Sequence, residues 1–152
     1  MVLRWSVGDW PIGKTSMRYS CLNSICISRS HVSSWGSEEG LKAVDEGLER
    51  AVEFEERAAC AELHRIRGEL LAASGVRPAD EVESCFRDAL DIAREQQAKT
   101  FELRAATSLA RLWASRGDRQ RAHDLLAPIY GSFGDFNTRD LSEAKVLLST
   151  VG

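Results

Sequence analysis

A phosphate-binding motif lies near the start of the chain. Residues 8–15, GDWPIGKT, match GxxxxGK[ST], a loop whose backbone amides cradle phosphates while its lysine and hydroxyl reach the terminal phosphate and magnesium. The candidate ligands of a nucleotide are Gly8, Gly13, Lys14 and Thr15. The motif needs a buried parallel strand before it, but only seven residues precede it and two of its variable positions are Trp and Pro. We therefore expect a chance match and keep nucleotide binding as the alternative function.

The histidines and cysteines do not suggest a metal cage or a catalytic triad. His31 lies in a serine-rich segment, while His64 and His123 lie in helix-forming sequence. The four cysteines form no CxxC pair and no paired-histidine spacing, which argues against zinc. They are Cys21, Cys26, Cys60 and Cys85. We expect a packed position for His64, idle thiols, no catalytic residue, no cofactor and no metal.

Composition and charge narrow the class of partner. A hydrophobic fraction of 43% with 28% charged residues is typical of a globular protein. The net charge of −3 supplies no broad attraction for nucleic acid. No stretch approaches the roughly 20 consecutive apolar residues that a membrane-spanning helix needs, and the first residues lack the apolar core of a secretory signal. We expect a soluble cytoplasmic protein that binds neither nucleic acid nor membrane.

The chain divides into two unlike parts at Gly36. Residues 1–36 are rich in serine and their apolar residues show no sustained period, which predicts an irregular, poorly ordered lead. Residues 37–152 are dominated by the strong helix formers Glu, Ala, Leu and Arg, and they form the predicted domain. The abrupt change leaves open that the lead never belonged to the fold.

Six blocks of apolar residues at helical spacing follow Gly36 and predict an all-α protein. The blocks cover residues 41–52, 63–71, 82–93, 106–113, 122–130 and 141–148. Gly75 and Gly117 are predicted to end the second and fourth helices. Asn137 or Thr138 is predicted to cap the last.

The helices repeat in pairs. Aligning the second and fourth helices on their terminal glycines places Gly68 over Ala110 and Leu71 over Trp113, each 42 positions apart. Their partner helices align at a distance of 40, with Val82 over Ala122, Phe86 over Leu126 and Ala89 over Ile129. The difference falls in a turn, where repeats tolerate changes of length.

This pattern resembles the tetratricopeptide repeat, in which a small residue at the eighth position lets the two helices of a hairpin approach closely. Gly68 and Ala110 fill that position, while His64 and Ile129 depart from the family's preferences. The segments AELHRIRGELL and RAHDLLAPIYGSF, with the sequence between them, also resemble the helical-repeat C-terminal region of bacterial signalling proteins that carry ATPase and nucleotide-cyclase modules. Those modules have no counterpart here, so their activities are not carried over.

The resemblance implies a short right-handed stack of antiparallel helical hairpins, a tetratricopeptide-like α-solenoid with a C-terminal capping helix. Its expected function is noncatalytic protein–protein interaction, as the tail or a fragment of such a signalling protein. The first helices of the hairpins would line a groove suited to a peptide of mixed charge. The candidate groove residues are Glu62, Arg65, Glu69, Arg104, Thr107 and Arg111.

Two further features invite interpretation. The repeat array looks cut at its front, because residues 37–57 resemble the second helix of a hairpin without its first. Either residues 16–28 supply a substitute helix through their apolar side chains, or the apolar edge is exposed, which would favour self-association. A basic run, Arg116, Arg119 and Arg121, and an acidic run, Glu53, Glu55 and Glu56, could mark docking surfaces, but solvated helix faces explain both more simply.

Overall fold

The described residues form helices connected by short turns. A computed structural model describes residues 37–53, 57–134 and 137–152. The helices are α1 (Ser37–Glu53), α2 (Arg57–Ser74), α3 (Ala79–Glu95), α4 (Lys99–Ser115), α5 (Arg119–Gly131) and α6 (Arg139–Val151). Each of the six predicted blocks lies within one of these helices, and no strand occurs in the described ranges. The all-α prediction is therefore confirmed, while residues 1–36 lie outside the described part.

The helix ends follow the predicted signals. Gly75 and Gly117 come after α2 and α4 with φ of 64° and 92°, a left-handed conformation that glycine adopts at low cost. Thr138 caps α6, because its Oγ1 accepts a hydrogen bond of 3.3 Å from the amide of Leu141. The sequence did not indicate a similar turn at Gln97, which follows α3 with φ of 53°.

The same hydrogen-bond pattern closes α3 and α4. After α4, the amides of Gly117 and Asp118 donate to carbonyl groups three and five residues earlier, at 3.1 and 2.9 Å. After α3, the amides of Gln97 and Ala98 do the same at 3.0 and 2.9 Å. Gln97 therefore holds the place that a glycine holds after α4.

Each helix packs against the next along the chain, and α4 also contacts both α2 and α6. The main hydrophobic core runs from the end of α2 to α6. A smaller core joins α1 to α2 and consists of Val44, Ala51, Leu63, Ile66 and Leu70. The two helices are also linked by an ion pair of 3.2 Å between Arg67 and Asp45. Because α4 has the most neighbours among the helices, it is the central element of the described fold.

The positions that align between the two hairpins are buried in both. Gly68 and Ala110 are buried, as are Leu71 and Trp113. The aligned positions of the partner helices are buried as well, because Phe86 in α3 and Leu126 in α5 both belong to the main core. The alignment therefore marks equivalent packing positions.

Gly68 is the point of closest packing between α2 and α3. A Cβ atom at Gly68 would lie 2.6 Å from Cε1 and 2.8 Å from Cδ1 of Phe86. The Phe86 side chain is itself only 3% exposed, so the ring has little room to move away. Glycine is required here by the ring that packs against it.

We predict that Gly68→Ala lowers the free energy of unfolding by about 1–3 kcal/mol, the usual cost of overpacking a core. A helical alanine is otherwise better than glycine by up to about 1 kcal/mol, so steric conflict must outweigh propensity. Urea denaturation followed by circular dichroism measures the change.

Gly131→Ala is the matched control, because nothing lies within 4 Å of a Cβ at that helical glycine. It should leave stability unchanged or raise it. If Gly68→Ala is as stable as the wild type, the close packing of α2 on Phe86 is wrong.

Candidate protein-binding surface

Charged side chains from α2, α4 and α6 meet on one surface, called the charged face below. Its members are Glu62, Arg65 and Glu69 on α2, Arg104, Ser108 and Arg111 on α4, and Arg139, Asp140 and Glu143 on α6. Residues three and four apart lie on the same side of a helix, so the spacing within each helix places its members together. The contacts of α4 with α2 and α6 then bring the three sets side by side.

Arg65 is the centre of the part that belongs to α2. Its guanidinium donates two hydrogen bonds to the Glu62 carboxylate, at 2.9 and 2.7 Å, and a third to Glu69 at 2.6 Å. Only 13% of the Arg65 side chain and 11% of that of Glu62 are exposed. Bidentate pairing holds a guanidinium in one orientation, so this end of the charged face is fixed.

Arg104 connects all three helices. Its Nε donates to Oδ2 of Asp140 on α6 at 2.8 Å, and its Nη1 lies 3.6 Å from Oε1 of Glu62 on α2. A second link between α2 and α4 is the hydroxyl of Ser108, which donates to Oε1 of Glu69 at 3.1 Å. Side-chain contacts therefore join three helices that are far apart in sequence.

The charged face becomes more exposed toward its α6 end. Arg111 and Glu143 form the longest ion pair there, at 3.8 Å, with 32% and 43% of their side chains exposed. Glu143 also accepts a hydrogen bond of 3.1 Å from Arg139. A partner approaching from solvent reaches this end more easily than the Arg65 end.

The charges on this surface are balanced. Four arginines face four carboxylates, and each of these groups has an opposite charge within 4 Å. Burial alone lowers the pKa of Arg65 and of Arg104, but hydrogen bonds and nearby carboxylates outweigh it, so both pKa values are raised. The guanidinium groups therefore stay charged and the surface projects no strong field of one sign.

The predicted groove residues divide into two groups. The structure brings Glu62, Arg65, Glu69 and Arg104 into direct contact and places Arg111 on the same face. Thr107 is different, because its side chain is buried and its hydroxyl donates to the carbonyl oxygen of Leu103 at 2.7 Å. It packs within the domain instead of facing a ligand.

A ligand groove itself stays a prediction. The nucleotide-motif residues Gly8, Gly13, Lys14 and Thr15 lie outside the described residues.

Sequence reasoning missed four members of the charged face. Ser108 lies four residues after Arg104, a helical spacing that could have placed it there. Arg139, Asp140 and Glu143 lie on α6, which was predicted only as a capping helix. The contacts of Asp140 and Glu143 with α4 depend on how α6 packs against the hairpin before it, and no local spacing indicates that.

Among the described histidines and cysteines, His64 has the packed position expected of it and Cys85 is buried. His64 is half-buried, and its Nδ1 atom is buried without a hydrogen-bond partner. Burial lowers the pKa of His64, against a smaller opposing effect of Asp88. Burial likewise raises the pKa of the Cys85 thiol. Within the described ranges no three His, Cys, Asp or Glu side chains group in a way that could hold a metal ion.

The α1 edge shows no large exposed hydrophobic side chain among its described residues. The exposed large hydrophobic residues of the described part are Val76 and Val146, which lie after α2 and on α6. Self-association through the α1 edge therefore gains no support from these side chains.

In the part that the structure describes, no helix combines the length and apolarity needed to cross a lipid bilayer.

Comparison with known proteins identifies no relative of this chain. Searches of protein-family models, of curated proteins and of solved structures find nothing that matches this chain. The sequence pattern and the geometry of the charged face are therefore the basis for a proposed function.

We predict a measurable coupling between Arg104 and Asp140. Arg104→Met should lower the free energy of unfolding by about 1–2 kcal/mol, because it leaves the partly buried Asp140 carboxylate without its arginine, while Glu62 keeps its pair with Arg65. A double-mutant cycle with Asp140→Asn, measured by urea denaturation, isolates the pair.

The exposed pair Arg139 and Glu143 provides the control. With 70% and 43% of their side chains exposed, their cycle should give about 0.5 kcal/mol or less. A coupling for Arg104 and Asp140 no larger than this would mean that the link between α4 and α6 contributes nothing to stability.

The depressed pKa of His64 predicts a pH dependence of stability. The folded protein binds a proton at His64 less readily than the unfolded chain, so stability is fully present above the unfolded pKa of about 6.5. It should decrease as the pH falls from there toward the folded pKa. Urea denaturation between about pH 7.5 and 5.5 should show a smaller decrease for His64→Gln than for the wild type.

His123→Gln serves as control, since 42% of the His123 side chain is exposed. It should keep the wild-type pH profile. Identical profiles for His64→Gln and wild type would contradict the assignment.

Proposed function

We propose that this chain is a noncatalytic helical-repeat module that binds another protein through the charged face. The observation that supports it is the set of cross-helix contacts of Arg104, which unites α2, α4 and α6 into one continuous surface. The predicted first helices of the hairpins are α2 and α4, and α6 extends the series. A surface made from several consecutive helices is long enough to follow an extended or helical peptide.

We further propose that the helices form a short right-handed solenoid of the tetratricopeptide kind, capped by α6. Packing of each helix on the next, with added contacts of α4 to α2 and α6, supports this arrangement. The equal burial of positions 40 or 42 residues apart supports it as well. The resemblance to the repeat regions of bacterial cyclase- and ATPase-linked proteins suggests a role in signalling.

The charge pattern limits the kind of partner. A peptide whose charges all have one sign would meet as many like charges as opposite charges, because the charged face carries equal numbers of both. A peptide that carries both signs can exchange internal ion pairs for intermolecular ones, which sets specificity more than affinity. This exchange can begin at the ion pair of Arg111 and Glu143, which is long and accessible to solvent.

A charge-swapped variant tests this function. Arg111→Glu combined with Glu143→Arg keeps the net charge and keeps opposite charges at positions 111 and 143, but it reverses the order of charges along the surface and replaces the ion pair of Arg139 with a like-charge contact. Affinity capture from native extract, followed by mass spectrometry, should recover a partner with the wild type and lose it with the variant.

Arg77→Glu combined with Glu81→Arg is the matched control. This pair is also exposed and 3.7 Å apart, but it lies at the start of α3, away from the charged face. It should retain the partner. Equal recovery by the wild type and both variants would exclude the charged face as the binding surface.

The alternative function is nucleotide binding by the GDWPIGKT segment. Its support is the full match of the motif in the sequence. Saturable binding of magnesium ATP that a Lys14→Ala change abolishes would favour it over protein binding.

A further inference from the structure

Three arginines, two on the helices α3 and α5 and one just after α4, surround one glutamate on another part of the surface. Glu83 on α3 accepts a hydrogen bond of 2.6 Å from Arg87 and another of 2.9 Å from Arg116. The Nη2 atom of Arg121, at the start of α5, lies 3.6 Å from the same carboxylate. None of these residues belongs to the charged face, so this cluster is independent of the function proposed above.

The cluster carries more positive than negative charge. Three guanidinium groups face one carboxylate, which leaves a local charge of +2 in a chain whose net charge is −3. Glu83 is almost covered, with 12% of its side chain exposed, whereas the three arginines are 30–51% exposed. A guanidinium has five N–H donors, so donors remain on the solvent side of the cluster.

One of the arginines is held in place by an aromatic ring. The guanidinium carbon of Arg121 lies 3.9 Å from the centroid of the Trp113 ring, a close cation–π contact. Trp113 is buried in the main core. The core therefore fixes the position of Arg121, and an incoming anion would not have to order a free side chain.

The position of Arg121 is electrostatically unfavourable for the helix alone. The amino end of a helix carries partial positive charge and normally favours acidic residues. The first turn of α5 has no acidic residue and contains Arg119 and Arg121, and the Asp118 side chain before it makes no capping hydrogen bond. The negative charge of Asp118 cancels the positive charge of Arg119, so the cluster around Glu83 keeps its surplus charge of +2. An external anion at this place would relieve the repulsion.

We propose that Arg87, Arg116 and Arg121 form a binding site for a phosphate dianion, with Glu83 as an internal anion that occupies part of it. The surplus charge of +2 matches a dianion. Guanidinium groups that come from different segments of the chain can reach different oxygens of a tetrahedral phosphate, each by a charge-assisted hydrogen bond. The phosphate is either free or attached to a side chain of a partner protein.

Titration at constant ionic strength tests the site and distinguishes the two sources. One arm uses inorganic phosphate against chloride, followed by thermal unfolding. The other uses a phosphoserine peptide and its unphosphorylated form, followed by isothermal calorimetry. We expect saturable binding in one arm or both, with no binding of the unphosphorylated peptide. Binding of the phosphopeptide alone assigns the phosphate to a partner protein.

Substitutions of the arginines and of Glu83 should change phosphate binding in opposite directions. Arg121→Gln and the more exposed Arg87→Gln should each weaken binding about tenfold, as expected for one charge-assisted hydrogen bond. Glu83→Gln should strengthen binding by a similar factor, because it removes the competing carboxylate. Arg77→Gln is the control, since Arg77 pairs with Glu81 and belongs neither to this cluster nor to the charged face. It should leave binding unchanged.

Several results would overturn the proposal. They are the absence of saturable binding in both arms, equal weakening by Arg77→Gln and Arg121→Gln, or weaker binding by Glu83→Gln. Circular dichroism confirms that each variant is folded. If Arg121→Gln unfolds because its contact with Trp113 is lost, Arg87→Gln and Glu83→Gln still decide the question.

Discussion

The close contact between Gly68 and the Phe86 ring is the constraint on which the described fold depends. It sets the distance between α2 and α3, because no side chain fits between the ring and the α2 backbone. With about 100° of rotation per residue, Arg65, Glu69 and Glu62 point about 60–120° away from Gly68 around α2. The contact with α3 therefore leaves these side chains free to meet α4.

The charged face shows how a helical protein can bury charge without an excess of either sign. Removing an ionised group from water is costly unless an opposite charge and hydrogen bonds replace the lost solvation. Arg65 meets this requirement within one helix, and Arg104 meets it across three. The result is a set of specific links between helices, in which the buried end serves the fold and the exposed end can serve a partner.

Local sequence patterns predicted the features that depend on local interactions. Apolar spacing located the six helices of the described residues, Gly75 and Gly117 marked two helix ends, and Thr138 marked a cap. The charged residues on α2 could be found because their pairing is helical in period. The contact of Arg104 with Asp140 spans 36 residues and depends on tertiary packing, so no spacing could indicate it. Helical spacing also could not indicate that the Thr107 side chain is buried, with its hydroxyl bonded within its own helix.

The turn at Gln97 has a consequence for the stability of the domain. A left-handed backbone costs a residue other than glycine about 1–2 kcal/mol, so the turn between α3 and α4 is less favourable than the turn at Gly117. Because the main core continues across this turn from α2 to α6, the cost is shared by that whole core, and neither half on its own is the weaker one.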